Sequence, residues 1–214
     1  MRQLFDVADT TQTELLCVGA VLLRGFARTS GVALLDGVRE VVEQAPLRQM
    51  ITPGGLRMSV AMTNCGSLGW VSDRAGYRYA ALDPASGLRW PAMPAAFAAL
   101  ARNAAEPAGF ANFNPDVCLI NRYEAGTRLS LHQDRDERDY EQPIVSVSLG
   151  MGAIFLFGGL RRSDRTARLR LEHGDVVVWG GPARLRYHGV LPLEAGSHPL
   201  TGPQRFNLTF RKAM

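Results

Sequence analysis

The second half of the chain alternates between two kinds of side chain with a period of two, which is typical of short strands. The run at 117–123 places Val117, Leu119, Asn121 and Tyr123 on one face and Cys118, Ile120 and Arg122 on the other. Comparable runs follow at 144–149, 153–157, 168–171, 175–179, 184–190 and 205–211. Short strands separated by Gly and Pro turns predict a double-sheet β barrel or jelly roll.

The first half carries helical signals as well. Residues 1–15 are predicted to form a polar arm, and 18–26 a first strand. A helix is predicted at 30–44, where Ser30 is a candidate N-cap and apolar residues recur every three or four positions. A second helix, at 94–105, would begin at Pro94. We expect both helices to cover one sheet.

The segment 47–92 differs in character from the rest of the chain. Pro-Gly-Gly, Asn-Cys-Gly and Asp-Pro sequences predict turns, and tryptophans and tyrosines are scattered between them. This combination predicts hairpins and loops with exposed aromatic side chains, which would suit a lid or a recognition surface. Trp90 and Trp179 are instead expected in the core.

Composition narrows the class of protein. With 214 residues, 46% of them hydrophobic and 21% charged, the chain predicts one folded domain with a substantial core. The net charge of +4 tolerates a polyanionic partner without requiring one. Lys212 is the only lysine among the 24 lysines and arginines, and arginine suits phosphates and carboxylates, although genome base composition produces the same excess.

Cysteine usage and hydropathy bear on the compartment. The 3 cysteines, Cys17, Cys65 and Cys118, are far apart, which argues against a disulfide framework and a structural zinc site. No apolar run approaches the length of a membrane span, and the N-terminal sequence is not typical of a signal peptide. We therefore expect a cytoplasmic monomer with no membrane partner.

Two histidines and an aspartate form a candidate metal site. His132 and Asp134 stand two positions apart, so an extended backbone would project both from one face, about 7 Å apart. His188 lies on a later predicted strand that could return beside them. Two imidazoles and one carboxylate on one face of an ion, with the other face open, are typical of non-haem Fe(II) oxygenases. Taken alone, the triplet is weak evidence, because a surface His-Asp pair and a structural strand histidine explain it as well. His173 is expected to be structural, and His198 is expected to be a loop residue.

The sequence R-F-N-L-T-F-R at 205–211 suggests a ligand for this site. Phe206, Leu208 and Phe210 form a core face, and the opposite face carries Arg205, Asn207, Thr209 and Arg211. Two arginines buried without partners would be costly, so they either meet solvent or are neutralised by a dianion. Asn121 and Tyr123 point the same way on the earlier strand. A dicarboxylate between an arginine and an iron is the simplest occupant.

These residues together resemble a known family. N-x-Y-x-x-G at 121–126, H-Q-D at 132–134, His188 and R-x-N-x-T-F-R at 205–211 are similar to the AlkB family of Fe(II)- and 2-oxoglutarate-dependent nucleic-acid dealkylases. M-x-T-P-G-G, M-S-V-A-M-T-N-C-G, L-G-W and W-P-A-M-P extend the likeness from about residue 18 to 211. The resemblance implies a mostly β single domain over 1–214 with flanking helices. Within it, a double-stranded β-helix (jelly-roll) core at 116–211 would follow a nucleotide-recognition lid at 47–92.

The resemblance also assigns roles to residues. It implies Fe(II) bound by His132, Asp134 and His188, with 2-oxoglutarate and O2 as co-substrates. The distal carboxylate of 2-oxoglutarate would pair with Arg205, assisted by Asn121 and Tyr123, and its metal-chelating end would meet Asn207 and Arg211. A flipped base would stack between Trp70 and His132 with its exocyclic amine at Asp136, and Tyr77 and Arg162 would make lid and rim contacts.

The activity that the resemblance implies is oxidative demethylation of bases such as 1-methyladenine and 3-methylcytosine, in single- or double-stranded DNA and in RNA. 2-Oxoglutarate would become succinate and CO2, and formaldehyde would be released. Leu56 and Arg135 depart from the family pattern, which leaves substrate grip and lesion preference open. Two alternatives also remain open: a hydroxylase of protein or small molecules with the same iron core, and a non-enzymatic metal-dependent binding module. The arginine-rich run at 161–168 is either a solvated hairpin or a backbone-contacting patch.

Overall fold

The computed structural model describes residues 12–214, which form thirteen β-strands and two α-helices. The strands are β1 (Thr13–Cys17), β2 (Ala20–Leu23), β3 (Ala61–Gly66), β4 (Gly69–Asp73), β5 (Gly76–Ala80), β6 (Val117–Tyr123), β7 (Leu129–His132), β8 (Ile144–Gly150), β9 (Ala153–Phe157), β10 (Ala167–Leu171), β11 (Val176–Trp179), β12 (His188–Val190) and β13 (Arg205–Arg211). The helices are α1 (Gly31–Gln44) and α2 (Ala95–Ala105), and Gly181–Ala183 adds a 3₁₀ turn.

Two antiparallel sheets form the core. The major sheet has the order β1-β2-β11-β8-β13-β6-β3, and the minor sheet has the order β10-β9-β12-β7. Strands β4 and β5 pair only with each other, in a separate hairpin. This arrangement confirms the predicted mostly β fold with a jelly-roll-like core and two helices.

The period-two pattern of the sequence explains how the layers pack. In β11, Val176 and Val178 face the helices, whereas Val177 and Trp179 belong to the cluster between the two sheets. Trp179 is buried there, and Trp90 is buried beside the β4–β5 hairpin, so both are core residues as predicted. The molecule is therefore a three-layer structure of helices, major sheet and minor sheet.

Both helices lie where the sequence predicts them. The buried face of α1 carries Leu34, Val38 and Val41, and α2 packs Phe97 into the same cluster. Ser30 is the N-cap of α1, as predicted, although its side chain makes no capping hydrogen bond. The stability of α1 therefore comes from its apolar face and not from its cap.

The beginning of the chain departs from the predicted arm and strand. Thr13–Cys17 is the edge strand β1, and the predicted strand at 18–26 shortens to Ala20–Leu23. The reason is a turn at Gly19, whose positive φ of 81° reverses the chain so that β1 and β2 pair. Residues 1–11 of the predicted arm lie outside the described residues.

Two other predicted segments also change. In the run at 184–190 only His188–Val190 is strand, because the 3₁₀ turn at Gly181–Ala183 delays its start. Within 47–92, β3 pairs with β6 along its whole length and so belongs to the major sheet. The β4–β5 hairpin and its neighbouring loops are the part of that segment left for a lid.

Two further observations concern the compartment. Cys17, Cys65 and Cys118 are free cysteines, and Cys65 and Cys118 are buried. Within residues 12–214, no helix is both long and apolar enough to cross a membrane.

The end of β3 offers a test of the register between β3 and β6. Gly66 has a φ of 118°, and a Cβ there would lie 2.3 Å from the backbone oxygen of Asp116, whereas Gly76 has a φ of 119° and open space. Both positions strain an alanine, but only Gly66→Ala also clashes with backbone. We predict that Gly66→Ala lowers the free energy of unfolding by about 1–3 kcal/mol more than Gly76→Ala does, measured by urea denaturation. Equal losses would contradict the close approach of the two strands.

Candidate active site

The pairing of β7 with β12 brings two histidines together. His132 ends β7, and its Cα partner across the sheet is His188, the first residue of β12. Side chains of directly paired residues project from the same face. The ring centroids of His132 and His188 lie 4.3 Å apart.

Backbone carbonyls orient both imidazoles. Nδ1 of His132 lies 2.9 Å from the carbonyl oxygen of Ser130, and Nδ1 of His188 lies 3.0 Å from that of Arg186. A carbonyl oxygen can only accept, so each Nδ1 carries the proton and donates it. In a neutral imidazole that carries its proton on Nδ1, Nε2 keeps a free lone pair, which is the form that ligates a metal.

Asp134 completes the set from a loop. It follows the end of β7, so the expectation of an extended segment carrying both His132 and Asp134 is only half right. Its Oδ1 lies 3.5 Å from Nε2 of His132, and its Oδ2 lies 3.8 Å from Nε2 of His188. Ligand atoms of all three residues lie within 4.8 Å of one another, so the chain is folded to present them to one ion.

The protonation states also suit a metal. Burial and, to a lesser extent, the neighbouring His132 together lower the pKa of His188 to about 3. Burial raises the pKa of Asp134, but the neighbouring charge of Arg211 outweighs that effect and holds the pKa below its ordinary value. A neutral imidazole and an ionised carboxylate are the forms that bind metals. Two imidazoles and one carboxylate fit Fe(II).

Arg205 is a buried cation in need of a partner. Its side chain lies over the ring of Tyr123, 4.9 Å from the centroid, and the residue is 1% exposed. Nη2 donates to Oγ of Ser148 at 3.0 Å, but Nε and Nη1 have no hydrogen-bond partner among the described residues. A buried guanidinium with unpaired N–H groups is costly, so the site fits a carboxylate such as that of 2-oxoglutarate.

The neighbouring amides share the same face. Asn121 pairs with Asn207 across β6 and β13. This pair lies two residues along each strand from the pair of Tyr123 with Arg205, and therefore on the same face. Nδ2 of Asn121 donates to Oδ1 of Asn207 at 3.1 Å, and Oδ1 of Asn121 has no partner in the described part of the chain. Four of the five side chains predicted to surround the co-substrate, those of Asn121, Tyr123, Arg205 and Asn207, thus lie together on one buried patch.

Arg211, predicted to meet the metal-chelating end of the co-substrate, also contacts a predicted metal ligand. Its Nε and Nη2 donate to Oδ2 of Asp134 at 3.0 and 2.6 Å. Nη1 is buried without a partner among residues 12–214. Arg211 therefore holds the predicted metal ligand, and Nη1 is the part of its guanidinium left for a co-substrate.

The predicted base-binding residues lie on the β4–β5 hairpin and next to the metal loop. Trp70 and Tyr77 stack with ring centroids 5.6 Å apart and planes 13° apart, and Tyr77 is 48% exposed. Nε1 of Trp70 donates to Oδ2 of Asp136 at 2.8 Å. Arg162 donates from Nη1 to the carbonyl oxygen of Leu131 at 2.6 Å, beside His132. An aromatic platform therefore lies close to the predicted metal ligands.

The remaining residues named in the sequence analysis have contacts that indicate no ligand. Nδ1 of His173 accepts a hydrogen bond from the backbone of Gly150, and its ring stacks on His198 with centroids 4.7 Å apart, in keeping with a structural role. Leu56 is exposed, as is Arg135. The hairpin at 161–168 is largely exposed, which leaves both of its interpretations open.

Three residues of the site were missed by the sequence reasoning. Glu137 and Arg184 lie buried next to Asp134, Tyr79 is partly buried beside them, and Glu137 binds both of the others. Glu137 stands in a run of charges at 134–139, which is a pattern typical of a solvated loop. Only the fold shows that this run turns inward.

Comparison with known proteins supports this geometry. Residues 19–211 match the model of the 2OG-Fe(II) oxygenase superfamily. The chain is 61% identical to the alpha-ketoglutarate-dependent dioxygenase AlkB of Salmonella typhimurium over 94% of this chain and 93% of that protein. It is 58% identical to the AlkB of Escherichia coli over 100% of this chain and 98% of that protein. A solved structure of OsALKBH1 superposes with a TM-score of 0.82 at 28% identity, covering 94% of this chain and 100% of that one.

The histidines give a direct test of the metal set. We predict that His188→Ala abolishes tight binding of Fe(II) or Co(II), because it removes one of three ligands, and that turnover is lost with it. His198→Ala is the matched control, since His198 stacks on His173 away from the triad. Calorimetric titration of the metal measures both. Metal binding that survives in His188→Ala would show that the triad is misassigned.

Proposed function

Because the chain belongs to the 2OG-Fe(II) oxygenase superfamily, and within it to the AlkB family, we propose that it repairs nucleic acids by oxidative removal of alkyl groups from base nitrogens. It is an Fe(II)- and 2-oxoglutarate-dependent dioxygenase. The observation that carries the proposed reaction is the convergence of His132, Asp134 and His188 in a fold that also buries Arg205, whose Nε and Nη1 have no partner among the described residues.

When bound, Fe(II), 2-oxoglutarate and O2 would supply an oxidation that converts 2-oxoglutarate to succinate and CO2 and hydroxylates the N-methyl carbon, which then leaves as formaldehyde. His132, Asp134 and His188 would hold the ion and, as three protein ligands, leave room at it for the two co-substrates. Phe155 and Trp179 pack against His188, with ring centroids 6.0 and 4.9 Å away. These apolar neighbours would keep water away from the His188 imidazole.

The arginine patch would bind 2-oxoglutarate. In this proposal the distal carboxylate pairs with the two free N–H groups of Arg205, and Tyr123 and Asn121 support it. The chelating end lies near Asn207 and Nη1 of Arg211. One ligand would thereby relieve the burial cost of the unpaired groups and set the direction in which the 2-oxo acid enters the metal site.

The hairpin would bind the damaged base. A base must leave the helical stack to reach the metal, which costs a few kcal/mol and least when its lesion already prevents pairing. Stacking on Trp70, worth ~1–3 kcal/mol, offsets part of this cost, and Tyr77 extends the platform. Methylation of the pairing edge of adenine or cytosine makes the base cationic at neutral pH. The Asp136 carboxylate would therefore favour 1-methyladenine and 3-methylcytosine over a neutral base.

The wider setting is also part of the proposal. We infer a monomer that acts in the cytoplasm, on single- or double-stranded DNA and on RNA, without a membrane partner. The free cysteines fit a reducing compartment. Arg162, beside His132, would contact the strand that carries the lesion.

The base preference provides the test of the function. Oligonucleotides with 3-methylcytosine are expected to yield formaldehyde and succinate in equal amounts with Fe(II), 2-oxoglutarate and O2. Asp136→Asn should lower kcat/KM for 3-methylcytosine by about tenfold, or about 1.4 kcal/mol, and leave the neutral 3-methylthymine nearly unaffected. Mass spectrometry of the products measures both. Succinate formation that proceeds without demethylation, or survives loss of Trp70 and Asp136, would favour a protein or small-molecule hydroxylase.

The co-substrate assignment has its own test. We predict that Arg205→Gln raises the KM for 2-oxoglutarate by about 10- to 100-fold, because a charge-assisted hydrogen bond is worth about 1.5–3 kcal/mol. The KM for the oligonucleotide should stay near its original value. Arg102→Gln, at an exposed arginine on α2, is the control. Steady-state kinetics decide, and an unchanged KM for 2-oxoglutarate would contradict the role of Arg205.

A further inference from the structure

Four charged side chains lie buried behind the metal loop. Asp134 and Glu137 supply two carboxylates, and Arg184 and Arg211 supply two guanidiniums, each with a side-chain exposure of 10% or less. Buried charges persist only when they are paired and hydrogen-bonded. The pairing within this cluster therefore fixes where each member sits.

Glu137 is the member that touches both cations. Its Oε2 accepts from Nη2 of Arg184 at 2.7 Å, and its Oε1 lies 3.4 Å from Nε of Arg211. Arg184 also donates from Nη1 to the backbone oxygen of Asp134 at 2.7 Å. Glu137 thus holds the two arginines that hold the backbone and the side chain of Asp134.

The same cluster reaches the nucleotide hairpin. The hydroxyl of Tyr79, on β5, donates to Oε1 of Glu137, and Trp70, on β4, donates to Asp136. The hairpin is thus tied at two points to the loop at 134–137.

Glu137 matters because Arg211 and a metal ion would both bind the carboxylate of Asp134. Arg211 takes Oδ2 of Asp134 with two N–H groups, and Oδ1 is the oxygen nearer to Nε2 of His132. Without the negative charge of Glu137, Asp134 would be the only carboxylate left in the cluster for the two arginines. Arg211 would then bind Asp134 more strongly and compete with the ion.

We propose that Glu137 is a positioning residue, which restrains Arg211 to one oxygen of Asp134 and links that ligand through Tyr79 to the nucleotide hairpin. The inference deepens the proposed function and rests on it for the hairpin's occupant. Because coupling between two sites is reciprocal, a base on the hairpin and a metal on Asp134 affect each other's binding.

Cobalt(II) binding tests the positioning role without any turnover. Glu137→Gln should weaken Co(II) binding to the whole protein by about 10-fold, the lower end of the usual cost of losing an outer partner of a metal ligand, because Glu137 acts on Asp134 through Arg184 and Arg211. It should also shift the visible ligand-field bands, which report the geometry around the ion. Tyr79→Phe should act in the same direction but less. Asp83→Asn is the matched control, because Asp83 is a buried carboxylate paired with Arg48 outside this cluster.

The control separates positioning from general destabilisation. Asp83→Asn should lose stability and keep both the cobalt affinity and the spectrum of the original protein. Unchanged cobalt affinity and spectrum in Glu137→Gln, or equal changes in Asp83→Asn, would overturn the proposal. If Glu137→Gln fails to fold, Tyr79→Phe takes its place, because that substitution removes only one hydroxyl. An unchanged cobalt spectrum in Tyr79→Phe would also overturn the proposal.

The link to the hairpin is tested with a bound oligonucleotide. A 3-methylcytosine oligonucleotide should shift the cobalt bands of the original protein, and Tyr79→Phe should reduce that shift. A shift equal in both proteins, or none in the original protein, would overturn the link. An oligonucleotide that binds no form of the protein would instead tell against the proposed function and leave the cobalt titrations interpretable.

Discussion

The site depends on the antiparallel pairing of β12 between β7 and β9. His188 lies opposite His132 on one side and opposite Phe157 on the other, so its position is fixed from both edges. A shift of one residue would turn His188 to the other face of the minor sheet and away from the ion. The metal set is therefore a product of strand register, and the core that holds the register also holds the chemistry.

A second constraint is the cost of burying charge. Arg205 and Arg211 lie inside the protein with N–H groups that the described residues leave unpaired. Asp134 and Glu137 balance Arg184 and Arg211, but no carboxylate of the described residues pairs with Arg205. A dicarboxylate co-substrate meets this need directly. Part of the affinity for 2-oxoglutarate would therefore come from pairing a buried arginine whose burial is otherwise unfavourable.

Much of this could be read from the sequence, because its signals are local. The alternation of apolar and polar residues predicted most strands, and helical spacing predicted α1 and α2. In β13, the same period of two predicted that both arginines lie on one face of the strand. The triad was predicted as well, although Asp134 turned out to lie in a loop. The β1 and β3 strands were missed, since their pairing with β2 and β6 depends on contacts distant in the chain or on a single glycine turn. Glu137 was missed for a similar reason: a charge run looks solvated until the fold turns one of its members inward.

The most direct test of the account is a crystal structure with Mn(II) in place of iron and 2-oxoglutarate bound, analysed by anomalous scattering. The account predicts one strong anomalous peak bonded to Nε2 of His132, Nε2 of His188 and a carboxylate oxygen of Asp134, with the distal carboxylate of 2-oxoglutarate on Arg205. A peak bonded to other residues, or a 2-oxoglutarate molecule that leaves Arg205 unpaired, would contradict it.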